Sequence, residues 1–311
     1  MSHCSFVSSL LIGLLTLIAS KLQAADPPAL QVQQDPSLVT VAAGPQVVLK
    51  YRYGDAPFKP YIQELCTPRG VQILRDSPAD HVHHRGVMYG IFANGVDFWS
   101  ETPRCGKQVS GGLSAVVSDP EDGVSSCRLA QCVEWIPPGT KQPLLTEQRL
   151  LQVYRGADLQ ATLLTWHLDL QPAKDAGAVK LTGSHYDGLG IRFVQSMDQV
   201  GQFQYTAGAP GPIVRGTERV TLDKWAAYTA AADGKTVTVA LFDDPHNVRH
   251  PAGMFTMLQP FSYLSATPNI WKEPLELAQG KSLAARYGIA VWDGKVGQER
   301  IESLYQRWLK L

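Results

Sequence analysis

Three of the chain's eight histidines fall in the run Arg75-Asp76-Ser77-Pro78-Ala79-Asp80-His81-Val82-His83-His84-Arg85-Gly86, beside two carboxylates and two arginines. Imidazole titrates nearest neutral pH and is the commonest metal ligand, so such a cluster can move protons or hold a cation. The planar forks of Arg75 and Arg85 suit a carboxylate or a set of sugar hydroxyls. Pro78 disfavours a regular helix just before the histidines and gives an extended or turning approach. Laid out as a strand, His81 and His83 share a face and His84 lies on the other. Laid out as a loop, all three can converge. A solvated loop or a satisfied structural network is the competing reading.

Four further segments carry chemistry. Directly after the histidines, Asn94-Gly95 is a tight-hairpin pair that folds Asp97 and Trp99 back toward them. The flat face of Trp99 matches the apolar side of a pyranose, although tryptophan in a strand is more often core. Between Ser184 and Phe193, Asp187 and Arg192 stand beside glycines that permit close backbone approach, and the two can also simply pair. In Phe242–Pro251, His246 and His250 have the spacing of helical metal ligands. Pro245 and Pro251 argue against a helix there, which leaves a loop offering His246, Asn247 and Arg249 to a cleft. The last segment, Ile270–Pro274, pairs a second stacking residue, Trp271, with Glu273, a general acid or base tunable by Lys272.

The elements that must position these groups are strands. In Leu159–Leu170, Thr162, Leu164, Trp166, Leu168 and Leu170 share one face, and the other turns polar at Thr165, His167 and Asp169. Similar alternation predicts strands at Leu38–Ala43, Val47–Tyr53, Tyr61–Cys66, Val87–Phe92, Ser125–Trp135, Leu144–Tyr154, Val179–His185, Leu189–Phe193, Thr236–Phe242 and Ser282–Trp292. Turn pairs such as Asp233-Gly234 and Asp293-Gly294 punctuate them. One helical stripe stands at the end, through Ile301, Leu304, Tyr305, Trp308 and Leu309. The expectation is an all-β chain, one large antiparallel sandwich over residues 25–311 closed by a short C-terminal helix.

The first 24 residues read as a secretory signal peptide, with an apolar core from Phe6 to Ala19 and cleavage near Ala24. The protein is therefore expected in the periplasm or secreted. No later stretch is long and apolar enough to span a membrane. Export favours disulfides among Cys66, Cys105, Cys127 and Cys132. Cys127 and Cys132 point to opposite faces of one strand, so Cys105 with Cys127 or Cys132 is the expected bridge. Formal net charge is zero with no basic stripe, which disfavours a nucleic-acid partner. No nucleophile elbow, Walker loop, dinucleotide fingerprint or H-E-x-x-H occurs.

Lys59-Pro-Tyr61, Cys66–Gly70, Arg75-Asp76, Asp80-His-Val-His-His-Arg-Gly86 and Asn94–Trp99 together resemble the PmoA-like family of exported bacterial proteins. Gly188–Phe193, Asp244–Pro251 and Trp271–Pro274 extend the likeness over most of the mature chain, with a departure at Asp244, where relatives commonly carry histidine. The family name implies a methane oxygenase. The likeness also implies a mutarotase-like sandwich and a part in saccharide breakdown. The leading expectation is an exported carbohydrate-active enzyme (hydrolase, lyase or mutarotase) acting on a saccharide without a cofactor. His81 and His84 would be its acid/base groups and Asp187 or Glu273 the second catalytic group. Arg75, Arg85, Arg192, His246 and Asn247 would bind substrate, with Trp99 or Trp271 as the platform. One alternative is an oxidoreductase holding copper, iron or another divalent metal on His81, His83 and His246 or His250. The other is a noncatalytic sugar-binding sandwich.

Overall fold

Alternating apolar residues lay down strands, and every strand pairing is antiparallel. The computed structural model describes residues 29–121 and 123–311. The expected signal peptide, residues 1–24, lies outside the described residues. One sheet has ten strands, in the spatial order Leu30–Gln34, Leu38–Ala43, Gln46–Arg52, Tyr61–Leu65, Val87–Gly90, Gly188–Arg192, Tyr263–Thr267, Gly253–Met257, Glu218–Leu222 and Ile213–Arg215. The second has eight: Gln202–Tyr205, Trp225–Ala232, Lys235–Asp243, Leu283–Asp293, Thr162–Pro172, Leu145–Gly156, Val124–Ile136 and Lys107–Glu121. A small four-stranded sheet joins Leu275–Leu277, Val179–Thr182, Phe92–Ala93 and Val96–Asp97. This is the large antiparallel β-sandwich expected from the sequence, with one α-helix among the described residues, at Gln298–Trp308.

Alternation assigns each face. Ile62, Val87, Tyr89, Ile191, Met254 and Leu264 of the ten-stranded sheet join Leu164, Trp166 and Leu168 of the other in the main core. Their neighbours Tyr61, Met88, Phe255 and Tyr263 face the opposite way and form a separate cluster with Trp99, Met257 and Phe261. On the outer face of the eight-stranded sheet, the helix lays Ile301, Leu304, Tyr305 and Trp308 on Trp225, Phe242 and Trp292. Full burial of each such side chain contributes roughly 1.5–3 kcal/mol. Trp308 Nε1 also donates to Thr165 Oγ1 at 2.9 Å.

A buried arginine bolts the two large sheets together. Arg149 pairs with Glu147 at 2.6 Å, and its Nη1 donates across the core to Tyr51 Oη at 3.2 Å and to the Pro60 carbonyl at 3.1 Å. The Pro60 contact fixes the start of Tyr61–Leu65, the strand whose outer face carries Tyr61.

Several boundaries differ from expectation. The run Val87–Phe92 divides at Ile91, its first part joining the large sheet and its last the small one. Val179–His185 ends at Thr182, and Leu159–Leu170 begins at Thr162. The strand Lys107–Glu121 is unexpected: a register shift at Gly111-Gly112 breaks its alternation, and Val116 faces solvent.

The expected disulfide is absent, and Cys66, Cys105, Cys127 and Cys132 are all free. Cys127 points into the core between Val153 and Val117 of the neighbouring strands. Cys132 lies on the other face, 3.7 Å from Gln148 Nε2. Cys105 is turned toward Thr102 Oγ1, at 3.1 Å, in the loop after Trp99. The three thiols face three different environments.

Candidate functional site

The histidine segment is a loop held at both ends against the central strand Gly188–Arg192. Arg75 N donates to the Arg192 carbonyl, Arg192 N to the Gly86 carbonyl, and Gly86 N to the Arg75 carbonyl. Gly86 sits at φ +55°, where a Cβ would stand 2.2 Å from the Ile62 carbonyl oxygen, so glycine is required there. Two tight turns, His81 N to the Pro78 carbonyl and His84 N to the His81 carbonyl, fold the tip back on itself. All three imidazoles therefore converge. Ring centroids are 4.8 Å apart for His81 and His84, 4.5 Å for His83 and His84, and 5.7 Å for His81 and His83.

Beneath the histidines lies a cavity of about 350 Å³ on the outer face of the ten-stranded sheet, within the usual size range of small-molecule sites. Trp99, Tyr186, Phe255, Met257, Phe261 and Tyr263 line it as an apolar floor, with Arg215 and Glu218 on the rim. Gly190 makes the floor flat, because a Cβ there would meet Tyr263 Oη at 1.9 Å.

Burial sets the charges. His84 is 7% exposed with its Nδ1 enclosed and unpartnered. Burial first, and then the neighbouring His83 and His81, push its pKa down to about 2. Burial also lowers His83, helped by Lys59. Both rings are therefore neutral near pH 7. Behind them Glu101 binds Lys59 Nζ at 3.1 Å and Arg85 Nη2 at 2.7 Å, and Lys59 also donates to the Trp99 carbonyl. Burial pushes the Glu101 carboxyl up, but the Arg85 hydrogen bond and the Lys59 charge outweigh it and keep it below its ordinary value. Arg85 is thus a supporting member of this network; it does not line the cavity. His81 Nδ1 lies 3.2 Å from Asp80 Oδ2, which orients the ring. Glu218 binds His185 Nε2 at 2.9 Å and Arg215 Nη2 at 2.6 Å, and these partners overcome its burial to hold it below the ordinary carboxylate range.

The other expected residues divide into those brought to the site and those kept from it. Arg192 is 1% exposed and lies 3.7 Å above the Phe261 ring; with Arg75 it lines an adjoining pocket. Asp187 is buried behind the floor, where Oδ2 accepts from Ser184 N at 2.9 Å and Oδ1 has no partner. Burial pushes its pKa up to about 7. Trp271 stops short of the cavity, with its ring 5.9 Å from that of His185.

Glu273 faces solvent, its side chain 82% exposed near Arg249, and it does not line the cavity. His246 is 95% exposed beside Asp244, and Asn247 ties Asp243 to the Arg286 backbone. His250 is fixed by Asp243 at 2.7 Å. This loop belongs to the end of the eight-stranded sheet, where Arg286 reaches the Trp308 carbonyl. The set of His81 and His83 with His246 or His250 is therefore not assembled. Among the described residues no group of three His, Cys, Asp or Glu is placed to hold a metal ion.

Sequence reasoning missed most of the floor. Gly253–Met257 and Tyr263–Thr267 are buried on both faces, so they show no alternation to mark Phe255 or Tyr263. Glu218 gave a faint signal, since the hairpin Arg215-Gly216-Thr217-Glu218 places opposite charges where they can meet.

Fold and pocket define a β-sandwich protein with a histidine-rimmed aromatic cavity on one outer sheet face. The chain belongs to the Family of unknown function (DUF6807), whose pattern matches residues 38–306. No curated protein matches it. Among solved structures it is similar to the galactosidase domain of the alpha-galactosidase-sucrose kinase AgaSK, with 9% identity and a TM-score of 0.51 over 85% of this chain and 42% of that one. It is also similar to the alpha-galactosidase from Lactobacillus brevis, with 7% identity and a TM-score of 0.46 over 89% of this chain and 42% of that one. A proposed aldose 1-epimerase from Klebsiella pneumoniae gives 11% identity and a TM-score of 0.45 over 88% and 80% of the two chains. The chain thus spans about two fifths of each of the first two, and the likeness is one of fold.

Proposed function

We propose that this is an exported carbohydrate-active enzyme that seats a saccharide ring on the aromatic floor and moves a proton beside it. One observation carries the reading: a flat floor of Trp99, Phe255 and Tyr263 lies under a rim of neutral imidazoles and an ionised carboxylate. Aromatic faces hold the C–H side of a pyranose, and neutral imidazoles can both donate to and accept from its hydroxyls. The fold shared with a galactosidase domain supports the substrate class.

Within this reading the roles differ from those expected of the sequence. His84 resists protonation down to about pH 2, so it orients a hydroxyl while remaining neutral. His81, oriented by Asp80, is the proton-transfer group. Glu218 is the second carboxylate, in place of Glu273 or Asp187. Titration calorimetry with glucose, galactose, mannose and xylose tests binding, and Trp99→Ala should abolish any binding seen. His81→Gln should then retain binding and lose roughly two to four orders of magnitude in turnover. Retained turnover would reassign the proton transfer, and binding with no turnover in the native protein would favour the noncatalytic sandwich.

A further inference from the structure

The cavity under the histidines opens beside a second pocket of about 480 Å³, and the two share Pro260 and Phe261 as a common wall. The two pockets are chemically unlike. The first has an aromatic floor, whereas the second is lined by Arg75, Asp80, Arg192 and Asp198 with the amides of Gln195 and Gln199. Its charges balance, two arginines against two aspartates, and the ion pairs are slack. Arg75 Nη1 stands 3.7 Å from Asp198 Oδ2, and Arg192 Nη2 stands 3.5 Å from Asp198 and 3.8 Å from Asp80. Arg192, 1% exposed, leaves Nε and Nη1 without a partner.

We infer that the second pocket is a subsite for a neighbouring neutral sugar unit, so that the substrate is at least a disaccharide whose linkage crosses the Phe261–Pro260 wall beside His81. This rests on the saccharide reading of the first cavity. Interleaved guanidinium, carboxylate and amide groups with no net charge present donors and acceptors in alternation. Vicinal hydroxyls match that pattern, each giving one hydrogen bond and taking another, whereas a formal anion would leave the two aspartates opposed to it. Adjacent residues of one turn straddle the boundary: Asp80 lines the second pocket, His81 lines the first, and their side chains meet at 3.2 Å. A saccharide spanning both pockets therefore sets its inter-ring oxygen, not a free reducing end, beside the Asp80–His81 pair.

The test is titration calorimetry of the full mature chain with glucose, galactose, mannose and xylose against the α- and β-linked disaccharides built from them. At least one disaccharide should bind roughly tenfold or more tighter than its monosaccharide. Arg75→Ala combined with Gln195→Ala should remove that increment while leaving the monosaccharide affinity within about twofold. Gln195 is exposed and Arg75 is partly buried, and Arg75 is held in the fold by its backbone hydrogen bonds. Equal affinity for mono- and disaccharides would overturn the second subsite and leave the first cavity's reading intact, as would an increment that survives the double variant. Binding of none of these sugars, with Trp99→Ala unchanged from the native protein, would overturn the first reading and this one with it.

Discussion

His84 and Asp187 are both held uncharged by burial, and they give stability opposite dependences on pH. An unfolded histidine protonates near pH 6.5, while folded His84 resists down to about 2. The unfolded state therefore binds the extra proton first, and stability falls as pH drops below about 6.5. Asp187 behaves inversely: unfolded it ionises near pH 3.9, folded at about 7. Stability is lost as pH rises from about 4 to about 7 and is flat above that, by an amount on the order of 4 kcal/mol. Between about pH 4 and 6.5 the two slopes oppose each other, so in urea unfolding Asp187→Asn should leave stability rising with pH there and His84→Gln should leave it falling; unchanged profiles would remove these residues from the account. The density of histidines made the rim legible in the sequence. Its charge states were not, because they depend on what covers it, and Phe261 and Tyr263 come from a turn and the strand after it, nearly two hundred residues away.

The elements were legible where one face is wet. Leu38–Ala43 and Gln298–Trp308 stand as expected because their alternation and helical stripe survive in the burial pattern. Strands covered on both sides, such as Gly253–Met257, lose that signal, as does Lys107–Glu121 at its glycine bulge. Two substitutions probe how elements are joined. Gly86→Ala forces a Cβ against the Ile62 carbonyl at positive φ and should cost more than about 1 kcal/mol while displacing the histidine loop. Wild-type stability with the proposed sugar binding intact would contradict that. Arg149→Ala strands Glu147 in the core and should cost about 3–5 kcal/mol in denaturant unfolding. A much smaller loss would mean that the bolt between sheets is dispensable.

Taken whole, the molecule stands without covalent cross-links among its described residues, held by two large sheets and a helix. Burial pushes the Cys66 and Cys127 thiols up to about 11, which makes them poor nucleophiles. Alkylation of the folded chain should therefore be slow at both. Peptide mapping after unfolding without reductant should find Cys66, Cys105, Cys127 and Cys132 all modified, and a protected pair would show that a bridge forms.

The ten-stranded sheet gives one face to the core and the other to the cavity, and the two duties change over at each step along a strand. Ile191 and Arg192, Leu264 and Tyr263, Met254 and Phe255 are successive residues with different employers. Inheritance acts on these positions separately. Changes at the core-facing set alter how much protein a cell retains, and changes at the cavity-facing set alter what the retained protein recognises. Along these strands a mutational scan scored once for abundance and once for the proposed sugar recognition should yield two maps offset by one residue, so that new specificities can arise at alternate positions without eroding the scaffold.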